Sequence, residues 1–153
     1  MDLHPFIVHF PIALLLTGIL CDTTGILLRR GLFLNLGYLL LILGAVSAIV
    51  AALTGDSEAE TARKIQGIRK DLNLHNNFST LTVWFAINLA LFRTHLTFKK
   101  RFTGLWRLIY LIFALATSAL IATSSYTGGR LVYKYGAGTE PIIRILNASE
   151  NMD

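Results

Sequence analysis

Four long runs of apolar residues leave this chain few ways to fold. PFIVHFPIALLLTGILCDTTGILL, LFLNLGYLLLILGAVSAIVAALTG, FSTLTVWFAINLALF and GLWRLIYLIFALATSALIATSSY are separated by short charged stretches. About 20 predominantly apolar residues cross a bilayer as a helix. Three runs have that length, and the third reaches it if it starts near His75. Within hydrocarbon a helix satisfies its own backbone polar groups, so each run is read as helical. The sequence therefore predicts an all-α integral membrane four-helix bundle, with helices at about 5–28, 33–54, 74–93 and 104–126. A short irregular tail over 127–153 completes a single domain. Charged residues are 15% of the chain, well below the level of about a quarter usual in soluble domains.

The first run starts at Met1-Asp2, with no basic leader or small-residue cleavage site, and continues to Arg29-Arg30. It reads as an uncleaved helix rather than a signal peptide. Cys21 is the single cysteine, so the chain builds neither a disulfide nor a thiolate cluster of its own. The net charge of +5 does not point to nucleic acid, because the cations flank the apolar runs. Arg29 and Arg30 fill the first loop; Arg93, Lys99, Lys100 and Arg101 fill the third; neither holds an acid. The second loop mixes acids with bases. The positive-inside rule then puts loops one and three in the cytoplasm of a bacterial inner membrane, with both termini outside.

That orientation gathers His4, His9, Gly55-Asp56, His75 and YTGGRLVYKYG at one outer face. His95 falls on the other side, as a solvated or headgroup residue. Pro5 suits a first helical turn, and Pro11 leaves the carbonyl of Ile7 without its usual donor, favouring a kink beside His9. His75 opens the third helix, with Ser79 and Thr82 on the same face. Two readings of these histidines stand side by side. They are interfacial residues bonding free backbone groups, or they are ligands. Two imidazoles on facing helices are what bis-histidine haem ligation requires. Copper or zinc also accepts imidazole, although structural zinc takes more ligands and Cys21 lies too deep.

Other features have structural readings. Gly37, Gly44, Ala48 and Ala52 form one small-residue stripe, and Ala114, Ser118 and Ala122 another, as close-packed membrane helices require. Asn88 reads as an interhelical hydrogen-bonding residue. Asp22 is costly inside helix one, and Arg107 is its expected partner. Gly128-Gly129 is expected to end the fourth helix with a left-handed cap. Tyr126, Tyr133 and Tyr135 suit an aromatic belt.

The opening HPFIVHFPIALL, Asp22, the Gly55-Asp56 pair, His75 and GGRLVYKYGAG together resemble the bacterial membrane proteins grouped as domain of unknown function 2231. The resemblance runs from His4 to about Gly138, matching at His4, Pro5, Asp22, Gly55, Asp56, His75, Gly128, Gly129, Leu131, Val132 and Tyr133. His9 matches the branch that reads HFP. The resemblance implies a four-helix membrane protein in the company of c-type cytochrome or Rieske iron–sulfur domains. Many relatives carry histidine where this chain has Arg130, so a ligand at that position is lost here. No CxxCH occurs, and a redox partner would be a separate chain.

The expectation is a haem b-binding electron-transfer protein or redox-complex subunit, leaning away from a stand-alone enzyme. His9 and His75 are the axial pair, His4 the alternate, and Arg130, Arg69 and Lys134 the propionate contacts. The rivals are a non-redox structural or assembly subunit, and a quinone-reactive or metal-dependent enzyme using His75 and Asp56 for proton handling.

Overall fold

The computed structural model describes residues 4–139, 142 and 145, with residues 5 and 56–58 as backbone alone. The Asp56 side chain and the tail beyond Thr139, those two residues apart, lie outside the described residues. The described chain is all helical: α1 (His4–Ile7), α2 (His9–Leu28), α3 (Gly31–Ala62), α4 (Arg69–Phe98) and α5 (Gly104–Tyr135). The last four are long and apolar enough to cross a membrane. They place large apolar side chains outward, with Leu20, Leu53, Leu91 and Leu115 all more than 60% exposed. Such a surface suits lipid rather than water.

The break between α1 and α2 falls at Val8, whose amide still bonds the His4 carbonyl. Proline at 11 lacks the amide that would tie to Ile7, so the ladder is weakest there. α2 packs along α3 more extensively than any other pair. Small residues permit this approach: a Cβ on Gly37 would lie 2.5 Å from an Asp22 oxygen, and one on Gly44 would lie 2.8 Å from the Leu15 side chain. Ala48 is also buried, but Ala51 rather than Ala52 faces inward. On α5 Ala114 is buried and Ala122 exposed.

The helices outrun the apolar runs. α4 begins at Arg69 and ends at Phe98, because its charged and polar first and last turns keep helical hydrogen bonding in water. α5 passes straight through Gly128-Gly129 to Tyr135, where Gly136 at φ 67° supplies the left-handed cap. The expected stop at the double glycine is therefore corrected, and residues 127–135, expected as irregular tail, are helical. Polar overhangs also build a second, small core beyond the main one. Ile68 and Leu72, with Ala59, Leu131 and Ala137, bury together at the end where α3 passes into α4. The main core runs through Leu15, Leu41, Leu89, Leu96, Tyr110 and Ile121.

Candidate functional site

At the end carrying the small core, two histidines are held in one protonation pattern. His4 Nδ1 lies 3.0 Å from the Thr54 hydroxyl oxygen. That hydroxyl spends its single proton on the Ala51 carbonyl at 2.9 Å. Thr54 therefore accepts, and His4 Nδ1 carries the donated proton. His75 Nδ1 lies 3.2 Å from the Ser124 carbonyl and 3.1 Å from the Thr127 hydroxyl. A carbonyl only accepts, and the single Thr127 hydroxyl proton is directed to the Thr123 and Ser124 carbonyls, which share it. His75 is thus also protonated at Nδ1. In each neutral ring Nε2 carries the lone pair, which in His75 faces the Ser79 hydroxyl at 3.3 Å. Ser79 in turn meets Ser124 at 2.9 Å.

Each ring also rests on a glycine. A Cβ on Gly55 would come within 2.9 Å of His4 Cε1, and one on Gly128 within 3.0 Å of His75 Cε1. These are contacts that a methyl group could not share without displacing the ring. Burial holds the His4 imidazole below its usual pKa, against a smaller opposing pull from the Ala51 backbone. Both rings are partly buried, whereas His9 stands exposed on α2.

The basic residues assigned to this end divide. Arg130 Nη2 reaches both Asp71 oxygens at 3.2 Å, and Lys134 Nζ reaches one at 3.1 Å. The Tyr135 hydroxyl donates to the same carboxylate at 2.9 Å. Asp71 therefore ties the first turn of α4 to the last turns of α5 and keeps both cations beside the His75 end. Arg69 is exposed. Among the described residues, no three His, Cys, Asp or Glu side chains converge as a metal group. Thr54 and Ser124 were not legible in the sequence because hydroxyls inside apolar runs look like packing, and Thr127 because it directly follows one. Their nearness to Gly55 and Gly128, adjacent for Thr54 and Thr127 and one turn away for Ser124, is the signal that marks them.

The opposite end holds a second polar cluster, and it corrects the expected partner of Asp22. Arg93, not Arg107, pairs with it: Nε lies 2.8 Å from one carboxylate oxygen and Nη2 3.1 Å from the other. The Tyr110 hydroxyl donates to Asp22 at 2.6 Å. Arg93 further donates to the Thr97 hydroxyl and the Leu34 carbonyl, and its guanidinium stacks 3.7 Å from the Phe102 ring. Arg107 instead donates to the Phe102 carbonyl at 2.7 Å. The physical reason is helical phase. Arg93 shares the inward face of α4 with Ala86, Leu89, Ala90 and Leu96, because α4 continues past the apolar run. Asn88 bonds its own helix, to the Trp84 carbonyl, and not another.

Over residues 1–141 the chain matches the family model described as a predicted membrane protein, DUF2231. No curated protein and no solved structure matches it.

Proposed function

Taking as premise that the chain belongs to this family of predicted membrane proteins, we propose that it is a haem b-binding electron-transfer subunit, with His4 and His75 as the ligand pair. One observation carries the reading: both imidazoles are pinned through Nδ1–H, the arrangement in which a neutral ring offers Nε2 as the donor atom. Metal-ligating histidines are oriented by such a bond from the second ring nitrogen, which also raises ligand basicity. Two imidazoles are what a bis-histidine haem takes from a protein, whereas structural zinc takes four ligands. Haem supplies one-electron chemistry when bound. The chain's own residues then do three things. Thr54, Ser124 and Thr127 set the tautomers; Gly55 and Gly128 admit the rings; Arg130 and Lys134, held by Asp71, and Arg69 offer positive charge for propionates. His9, exposed on α2, has no ligand role in this reading. The site faces the outside of the inner membrane, and the electron partner is a separate redox protein such as a cytochrome c or a Rieske protein.

The test is a reduced-minus-oxidised absorption spectrum of the detergent-purified chain, followed by single alanine substitutions at His4, His75 and His9. Haem in the parent and in His9→Ala, with loss or a high-spin spectrum in the other two, is the expected pattern. Purified parent without haem sinks the proposal. A second reading then takes over, favoured by the same contacts: His4 ties α1 to α3 and His75 ties α4 to α5, as clasps of a non-redox structural subunit.

A further inference from the structure

Beside the Asp22–Arg93 pair, at the end remote from His4 and His75, lies a cavity of about 270 Å³. Asn35, Tyr38, Arg93, Lys100, Phe102 and Arg107 are among its lining residues, which include no carboxylate. Arg93 is already neutralised by Asp22, so the cations that the cavity's own lining leaves uncompensated are Lys100 and Arg107. The helix before each loop at this end finishes with an unusual residue. Arg29 and Lys100 both stand at φ 53°, in the left-handed region. Glycine would adopt that conformation without strain. The chain instead keeps a cation at each, in loops that also carry Arg30, Lys99 and Arg101.

We propose that this cavity is a binding site for the phosphodiester headgroup of an anionic phospholipid. Three observations select that class. The cavity lies below the volume range of sites that enclose a whole drug-sized ligand, so it suits a headgroup. Its cations are one ammonium and one guanidinium, the pair of groups that recognise phosphate as point charge and as planar fork. The helices that wall it expose Leu36 and Leu39 on α3 and Leu105 and Leu108 on α5, a surface along which acyl chains can run. A soluble phosphate would have no use for that surface. Trp106, 42% exposed on the same turn as Arg107, suits the interfacial level at which headgroups lie. Arg107 is held ready: its Nε bond to the Phe102 carbonyl fixes the guanidinium beside the ring, 5.6 Å from the centroid.

The experiment titrates the purified full chain in neutral detergent with acyl-labelled phosphatidylglycerol and, separately, with acyl-labelled phosphatidylcholine. Phosphatidylglycerol is expected to bind at least about tenfold tighter, and Lys100→Gln with Arg107→Gln to weaken it by about 5-fold per charge removed. Phosphatidylcholine binding should not change. The control removes the same number of charges from the same loop but outside the cavity, with Lys99→Gln and Arg101→Gln. It should cost less than about 2-fold. Equal losses in the two double variants would mean diffuse surface attraction and would overturn the site. So would equal affinity for the two lipids. Displacement of labelled phosphatidylglycerol by millimolar inorganic phosphate would assign the cavity to a soluble phosphate instead and overturn the lipid proposal. The Lys100→Gln, Arg107→Gln variant should unfold only slightly earlier than the parent, through loss of the Arg107 bond to the Phe102 carbonyl, and the Lys99→Gln, Arg101→Gln control should match the parent, since Asp22, Arg93 and Tyr110 are untouched.

Discussion

Replacing Arg93 with methionine should be among the most damaging single changes in this chain. The guanidinium donates to both oxygens of Asp22, and the paired side chains are 4% and 0% exposed. Without Arg93 the carboxylate keeps one donor, Tyr110. Removing one partner of a buried pair costs about 3–5 kcal/mol, because the other charge is left stranded. Asp22→Asn should cost a similar amount, since Arg93 then faces a neutral amide in place of its counter-ion. Combined, the two changes remove both charges, while the amide oxygen introduced at position 22 can still accept from Tyr110. The double variant should therefore cost about 3 kcal/mol less than the sum of the singles. Arg107→Met, which loses one bond to a backbone carbonyl, should cost about 1 kcal/mol. The assay is reversible unfolding by SDS titration in mixed micelles, followed by far-UV circular dichroism. Additive single and double values would refute the stranded-charge argument. A loss at Arg107 matching that at Arg93 would return Arg107 to the role that sequence reasoning gave it.

Two further outcomes follow from the histidine end. Gly55→Ala and Gly128→Ala should each lower the unfolding midpoint by the equivalent of about 1–3 kcal/mol, because the new methyl would sit 2.9 and 3.0 Å from ring carbons; Gly129→Ala, with open space at its Cβ, is the control that should not. In the haem-free chain, stability should fall as pH drops through and below about 6.5, since the unfolded chain then binds a proton that the partly buried His4, its pKa lowered by burial, resists. His4→Gln should flatten that slope between about pH 8 and about pH 5, and an unchanged slope would remove His4 from the argument.

The membrane class was legible because hydropathy blocks of bilayer length admit few alternatives. Helix ends were not, because the polar turns at Arg69 and Tyr135 stay helical outside the apolar runs. That extension misled two assignments at once. It made Arg93 look like a loop charge, and it made Gly128-Gly129 look like a terminus. The glycine is there for a neighbour's ring, a reason that lies 53 residues away at His75 and leaves no local trace. His9 drew attention through its prolines, while His4 looked peripheral; only the fold reveals that Thr54, fifty residues on, is the acceptor for its proton.

The small core of Ala59, Ile68, Leu72, Leu131 and Ala137 gives the molecule two solvents to answer to. Lipid-embedded packing gains little from expelling water, since hydrocarbon surrounds the helices whether or not they touch. This cluster lies beyond the apolar runs, where the aqueous hydrophobic effect holds it. Cooling and urea weaken that effect. They should therefore loosen this end of the bundle, where His4 and His75 lie, while leaving the rest of the helices assembled, so that the setting of the imidazoles answers to the surrounding water as well as to the bilayer.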